Sequence, residues 1–490
     1  MKYAWLVIGI FAARCFTTAI AFPPGDGDLW WQRLLGAQIL RTHAVPRSLG
    51  SEAFTAPYAP WVPQEWLFGI AAYLGRSGAS WDIFASTCAI AAIAALAIAC
   101  AQAVRRGASP VAIAVCSLFA SISLFESFGV RAQVVAWPML ALFLFLLDVD
   151  GPWCYAALAV AALWSNLHAS AMLAPILAAA CTLGSALDEG KIGARTRRLA
   201  TVAVFSVIAI CLNPFGWDLP HYALGLFNNP IKSYITEWQV TSLGDLSFAF
   251  GSLPLMLIAM ALGTREGANG ERSAHRWRDV CLLAAFGYLM LSAGRNINIF
   301  AIAALPIVAS ALTRRVAWFA LPVERPPSTI DRIAAFGLPA VALVLALVVS
   351  QQLVGKIPPA TGLASAPLAA LAKMPGEHDI LCTDFAWCSL ALGVPKQRVF
   401  LDGRADPYPR DVWEDFVSVL RLDHDWLGML DRRHVNALVV ARDGQVDQAL
   451  ELVHGWHVAY ADKEYRLWLR SGSGSRQTGF EPVERGVAGT

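Results

Sequence analysis

Apolar stretches long enough to cross a bilayer recur along this chain, and no other feature restricts its fold so severely. About 20 consecutive apolar residues span a membrane as a helix, with shorter stretches allowed where helices are broken. Eleven such stretches are readable, over 4–22, 81–104, 109–125, 132–148, 152–165, 168–186, 199–212, 246–263, 279–293, 297–312 and 333–353. Composition agrees. Of 490 residues, 57% are apolar and 15% charged, where an ordinary soluble domain carries about 25% charged residues. The expected fold is therefore mostly α, a polytopic membrane helical bundle of about eleven spans. A net charge of +2 identifies no partner class, and nucleic acid is not expected.

The pair of stretches flanking "SNLHAS" is the difficult one, since 153–187 is long for one helix and short for two. Basic residues decide it. Arg105 and Arg106; Lys191, Arg195, Arg197 and Arg198; Arg265, Arg272, Arg276 and Arg278; and Arg314, Arg315, Arg325 and Arg332 fall in alternate loops when two spans are counted. Cytoplasmic loops collect Lys and Arg, so all four are expected inside. The opposite loops, 23–80, 126–131, the turn at Asn166, 213–245 and 294–296, hold the conspicuous Asp, Glu, His, Asn and Trp residues. The chain is thus expected to be a multi-pass protein of a bacterial inner membrane with its polar chemistry on the outer face.

The first outer loop carries two helical patterns. "DLWWQRLLGAQILRTH" sets Trp31, Leu34, Leu35 and Ile39 opposite Gln32, Arg33 and Arg41, the signature of an amphipathic helix lying in the interface. "WVPQEWLFGIAAYLGRSG" opens with Pro63 and is too short to cross, so it is expected as a second surface or re-entrant helix. These segments, 23–80, are assigned with 1–353 to the transmembrane domain. After a linker, "DILCTDF", "RVFLDG", "ALVVARD" and "WHVAYADKEYRLWLR" alternate with helical patterns, which predicts an exported, periplasmic α/β domain over 354–470 and a loose tail over 471–490. Cys382 and Cys388 flank "TDFAW" in that domain, where an oxidising compartment permits a disulfide and a buried free pair is the alternative. The other cysteines lie in or at the ends of spans, as small apolar residues do.

Two aspartates, Asp26 and Asp28, stand where the chain leaves its first span, in "GDGDLWW". One reading is a turn whose last residue, Asp28, caps the following helix. The other is a pair of carboxylates that take a proton, hold a divalent cation such as Mg or Mn, or both. An EF-hand loop is excluded, because Trp30 and Trp31 occupy the positions of an oxygen ligand and a glycine. Arg131 in "GVRAQ" and Arg295 in "SAGRNIN" stand at outer helix ends, where a guanidinium forks onto a phosphate or snorkels to the interface. Glu237 with Trp238 offers a sugar-binding acid and ring, or an interfacial structural pair. Glu65, His168, Asn166 and His221 are further outer-face candidates. Arg14 lies inside the first span with no partner evident in the sequence. "LDGRADPY" gathers Asp402, Arg404 and Asp406, either as an acceptor contact or as a salt-bridged turn ordering the domain.

With "DLWW", "QEWL", "WSNLHAS", "LNPFGW", "ITEWQ" and "FLDGRADPY", the chain resembles the GT-C superfamily of integral membrane glycosyltransferases, and within it a bacterial group sharing these motifs. The resemblance implies a polyprenyl-phosphate-sugar donor, a lipid or glycan acceptor in the cell envelope, and an inverting transfer of one hexosyl or pentosyl unit outside the membrane. It places Asp28 and Asp26 as catalytic and possible metal-holding acids, Arg131 and Arg295 on the donor phosphate, and Glu65, His168, Glu237 and Trp238 on substrate. Gln32 and Gln64 depart from the group by standing where relatives carry His, which counts against a histidine-assisted metal site. Two other classes are kept in view: a transporter or flippase of an envelope glycan or lipid, and a non-catalytic scaffold on the same fold. Transporters place ionisable groups near the midplane of repeated halves, whereas here the polar groups cluster on one face and no repeat is visible.

Overall fold

The computed structural model describes residues 2–21, 27–227, 234–262, 276–320 and 365–471. Contacts divide the chain into two units, one of Met1–Asp26 with Gln64–Pro358, the other of Gly27–Pro63 with Pro359–Thr490. The first unit is helical. It comprises α1 (Lys2–Ala21), α3 (Trp66–Leu74), α4 (Gly78–Arg105), α5 (Pro110–Glu126), α6 (Ala132–Asp148), α7 (Ala156–Trp164), α8 (Leu173–Glu189), α9 (Ala194–Ala209), α10 (Asp218–Phe227), α11 (Leu253–Leu262), α12 (Arg276–Ser292) and α13 (Ile297–Arg315); α2 (Asp28–Thr42) belongs to the second. Every expected span up to 297–312 overlaps helical structure among the described residues, in four cases as a shifted or composite stretch (152–164, 169–189, 194–209 and 248–262), and 333–353 lies outside the described residues. By length and composition, four of the helical stretches (Tyr3–Ile20, Gly78–Arg105, Ala169–Glu189 and Gly294–Arg315) are long and apolar enough to cross a membrane, and the others are shorter.

Local chemistry explains the boundaries. Ser109 caps α5 by accepting from the Ala112 N–H, with Pro110 at the first helical position. Gly190, at a left-handed φ of 63°, ends α8, a conformation that a Cβ would strain. The difficult stretch breaks at Ser165–His168, between α7 and a 3-10 turn, Ala169–Met172, that leads into α8. The α13 helix is the centre of the unit: every residue from Ile297 to Leu312 is buried, and α4, α5, α6, α11 and α12 pack on it. Small residues permit close approach. Ser123 of α5 donates to Ser247 O and meets Ser252 Oγ at 2.8 Å, and a Cβ on Gly251 would fall 2.2 Å from Ser123 Oγ. Arg14 has a partner after all, stacking 4.2 Å over the Phe125 ring of α5.

The expected inner loops meet at one end of this unit. Arg106 binds Asp148 at 2.8 Å and Asp279 at 2.7 Å, Arg278 also binds Asp148, and Arg195 binds Asp150 at 2.6 Å. Ion pairs of this kind satisfy buried charge, and here they require that the ends of α4 and α6 and the starts of α9 and α12 lie together.

The second unit carries the sheet, in the order β2-β1-β3-β5-β4, with β1 His378–Cys382, β2 Gln397–Val399, β3 Ala437–Ala441, β4 Trp456–Ala461 and β5 Tyr465–Arg470. β1 pairs in parallel with β2 and β3, while β5 runs antiparallel to β3 and β4. Helices Arg410–Arg421, Trp426–Arg432 and Gln445–Glu451 complete the small α/β layer. The segment 27–63 also packs here, although the sequence groups it with the spans. Ala53 bridges Val399 in parallel, the Val399 N–H donates to Glu52 O at 2.7 Å, and Thr55 Oγ1 donates to Phe400 O at 2.6 Å.

Within the motif "LDGRADPY" the structure shows a buried ion-paired turn. Arg404 binds Asp402 at 2.6 Å, the Tyr408 hydroxyl donates to Asp402 Oδ2 at 2.6 Å, and Arg404 also donates to Leu49 O at 2.9 Å and lies over Trp61. Burial, with Asp402 beside it, pushes the Tyr408 hydroxyl well above the usual range, so it stays protonated and donates. Cys382 and Cys388 form a disulfide with Cα atoms 5.7 Å apart, inside the usual range. Closing so short a loop is expected to stabilise the unit by roughly 2 kcal/mol. Mass spectrometry of protein isolated without reductant should find the two cysteines linked; both thiols free would contradict the pairing.

Candidate functional site

Each unit presents part of the expected polar chemistry, and each is described by itself. In the helical unit, Arg131 is the residue before α6 and Arg295 sits in the 3-10 turn before α13. Between them comes Glu237, in the turn Thr236–Trp238. Arg131 Nη2 donates to Glu237 Oε2 at 3.3 Å, and Arg295 Nη1 lies 3.8 Å from Glu237 Oε1. The turn is laced to its neighbour, since the Gly294 N–H donates to Gln239 O at 3.0 Å and Gln133 Nε2 donates to Arg295 O at 3.1 Å. Arg295 stacks 4.8 Å from the Trp238 ring, so one face of that ring carries a guanidinium. Burial alone would raise the Glu237 pKa, but Arg295 and Arg131 outweigh it and hold the carboxyl below its usual range. Two guanidinium charges against one carboxylate leave this group with a net positive charge.

Beside it, His168 and Glu65 face one another, Nε2 to Oε1, at 3.5 Å. The His168 Nδ1 accepts from the Ser170 N–H at 3.0 Å, and Ser170 Oγ accepts from Trp164 Nε1 at 3.0 Å. An accepting Nδ1 leaves the ring proton on Nε2, aimed at Glu65, so the imidazole is neutral and the contact is polar, not ionic. Trp66 Nε1 donates to Asn166 Oδ1 at 3.1 Å, tying the start of α3 to the turn that carries His168. His168 lies within electrostatic reach of Arg295, Arg131 and Glu237, so these five side chains share one neighbourhood. His221 is exposed on α10.

In the second unit, Asp28 is the first residue of α2. The N-cap is Gly27 and there is no side-chain cap bond, which corrects the reading of Asp28 as a cap. Its Oδ1 instead accepts from Trp31 Nε1, one turn on, at 3.0 Å. Trp31 meets Trp61 edge to face at 5.8 Å. A Cβ on Gly403 would fall 2.9 Å from Asp28 Oδ1 and 3.2 Å from Trp31 Cδ1, so the "LDGRADPY" backbone runs close against both side chains. The apolar face of α2, with Leu29, Trp31, Leu35 and Ile39, is buried, and so is Gln32, placed on the polar face by the sequence pattern. Part of what covers it is the turn Ser389–Ala391 of the same unit. Asp26 lies outside the described residues. Among those described, no three His, Cys, Asp or Glu side chains gather as a metal site would require, so the described residues do not by themselves make a metal centre.

Sequence reasoning found the residues of both groups but not their pairing. Ser170, Trp164 and Gln133, which orient His168 and Arg295, were missed because nothing in a single chain marks a hydrogen bond to a distant turn.

The fold is that of the GT-C membrane glycosyltransferases. The chain is similar to the archaeal oligosaccharyltransferase AglB from Archaeoglobus fulgidus in complex with an inhibitory peptide and a dolichol-phosphate (TM-score 0.59, 14% identity, 97% of this chain and 75% of that chain). It is also similar to ArnT from Cupriavidus metallidurans bound to undecaprenyl phosphate (TM-score 0.53, 14% identity, 96% and 98%). A third similar structure is the Archaeoglobus fulgidus oligosaccharyltransferase in complex with Zn and sulfate (TM-score 0.56, 13% identity, 95% and 73%). No family model and no curated protein sequence matches the chain.

Proposed function

We propose that this protein is an inverting membrane glycosyltransferase that moves one hexosyl or pentosyl unit from a polyprenyl-phosphate donor to a lipid or glycan acceptor of the cell envelope. The observation that carries this reading is the gathering of Arg131 and Arg295 about Glu237, in a fold shared with proteins solved with dolichol-phosphate and undecaprenyl phosphate. In the transfer, the acceptor hydroxyl gives its proton to a carboxylate, assigned to Asp28, and its oxygen bonds the anomeric carbon as the bond from that carbon to the donor phosphate breaks. The departing polyprenyl phosphate gains one negative charge. Preorganised guanidinium groups stabilise charge that develops in this way, and the net positive Arg131–Arg295–Glu237 group is suited to the task. Glu65 and His168 are assigned to the substrate side, with His168 holding the Glu65 carboxylate in place.

A charge-assisted hydrogen bond contributes about 1.5–3 kcal/mol, so Arg131→Ala and Arg295→Ala are each expected to lower kcat/KM for a polyprenyl-phosphate sugar roughly ten- to a hundredfold. Glu237 keeps 37% of its side chain exposed, so water replaces the lost partner and the fold survives. A double variant that transfers at the wild-type rate would remove the arginines from the site.

The reaction is placed at the outer face of a bacterial inner membrane, with the C-terminal domain periplasmic, because the basic loops then share the cytoplasmic side. Alkaline phosphatase fused after Ser471 is expected to be active and a fluorescent protein fused there dark. The reverse pattern would overturn the placement.

A further inference from the structure

Glu237 engages both guanidiniums of the helical unit's outer group at once, and neither contact is close. Arg131 Nη2 stands 3.3 Å and Arg295 Nη1 3.8 Å from its two carboxylate oxygens, whereas a charge-assisted hydrogen bond of this type closes to about 2.7–2.9 Å. The side chains of Arg131, Glu237 and Arg295 are 26%, 37% and 25% exposed, so a second anion can reach them. Arg295 has other contacts to hold it in place. Gln133 Nε2 donates to Arg295 O at 3.1 Å, the Gly294 N–H donates to Gln239 O at 3.0 Å, and the guanidinium stacks on the Trp238 ring. Glu65, the other carboxylate nearby, faces His168. Glu237 thus places a negative charge loosely across the two arginines, where a phosphate would have to share them.

The two phosphates exchanged in the transfer differ in charge. A polyprenyl-phosphate sugar is a phosphodiester with one negative charge. The polyprenyl phosphate left behind is a monoester, close to two at neutral pH because its second pKa is about 6. A carboxylate beside the bound phosphate therefore repels the product about twice as strongly as the donor. Donor and product share the lipid and the phosphorus, so beyond the sugar itself it is charge that can tell them apart.

We propose that Glu237 is a specificity residue whose carboxylate competes with phosphate for Arg131 and Arg295, and so lets the polyprenyl phosphate product leave. The proposal rests on the assignment of these arginines to the donor phosphate, and its test separates the two. Equilibrium binding of undecaprenyl phosphate and of its methyl phosphodiester is measured on the full-length protein in detergent micelles at about pH 8, where the monoester is doubly charged. Undecaprenol is the uncharged control. Glu237→Gln keeps the shape and drops the charge; it is expected to bind the monoester roughly tenfold more tightly, with slower release, and the diester roughly threefold more tightly, with undecaprenol unchanged. Glu237→Asp, which keeps the charge, should stay near the wild type. Loss of a merely structural contact would not tighten binding in proportion to ligand charge. If Arg131→Ala and Arg295→Ala lose the monoester but Glu237→Gln binds it no more tightly, or tightens both phosphates equally, this inference falls and the arginine assignment stands. If the arginine variants bind both phosphates as the wild type does, or the wild type binds neither, the assignment falls and this inference with it.

Discussion

Asp28→Asn is expected to lose about 10²- to 10⁴-fold of the transfer rate, the usual contribution of a positioned base, while folding and donor binding stay nearly intact. The structural reason is the division of labour at the start of α2. Gly27, not Asp28, is the N-cap, and Asn is as well suited as Asp to a helix start. What the carboxylate does make is the 3.0 Å bond from Trp31 Nε1, and the amide oxygen of Asn accepts the same bond in nearly the same volume. Only the negative charge and the proton-accepting capacity are lost. Turnover at saturating donor, together with a thermal midpoint, separates the two effects. Asp26→Asn should cost less; if a Mg or Mn ion bridges the pair, both changes are severe and a chelator reproduces them. A transporter or scaffold on the same fold would tolerate both changes without loss of any transfer, having none to lose.

Arg404→Met should destabilise the unit of 27–63 and 365–471 by about 3–5 kcal/mol, the cost of stranding one member of a buried ion pair. Asp402 is fully buried and Arg404 is 4% exposed, so neither can turn to water. The variant also loses the donor to Leu49 O and the stacking on Trp61, which tie the N-terminal segment to the α/β layer. Limited proteolysis is expected to cut within 44–60 in the variant and not in the wild type. Replacing both charges, as Asp402→Leu with Arg404→Met, should recover part of the loss, because no charge is then stranded, while the Tyr408 hydroxyl and Leu49 O still lose their partners. A single variant no less stable than a surface substitution, within about 0.5 kcal/mol, would show that the pair orders nothing.

Where one segment supplies its own signal, sequence and structure agree. Apolar runs became helices and the alternating runs from "DILCTDF" to "YRLWLR" became a five-stranded sheet, while the choice between a disulfide and two free thiols, open in the sequence, is made by the structure, which pairs Cys382 with Cys388. Where the signal needs a second segment, the sequence is silent. The amphipathic pattern of α2 reports that Trp31, Leu35 and Ile39 need cover, but periodicity cannot say whether lipid or protein supplies it; in the structure they are buried, and the turn Ser389–Ala391 packs on the same helix. Arg131, Glu237 and Arg295 were each legible as outer-face candidates, yet each has an ordinary structural reading when taken alone. Their meeting depends on how the turn at Glu237 packs against the starts of α6 and α13, and nothing local encodes that. The neutral state of His168 is likewise set by the Ser170 N–H, a bond that exists only once the turn has formed.

This chain is proposed to break a polyprenyl-phosphate–sugar bond with Asp28 as the general base. The most direct test is to reconstitute wild-type protein and Asp28→Asn in vesicles made with envelope lipids, supply a panel of polyprenyl-phosphate-linked sugars, and measure released polyprenyl phosphate and glycosylated product by mass spectrometry. Wild type should release polyprenyl phosphate and glycosylated product in equal amounts from at least one donor, with Asp28→Asn at least a hundredfold slower; equal release by the two proteins, or none by wild type from any donor, would contradict it.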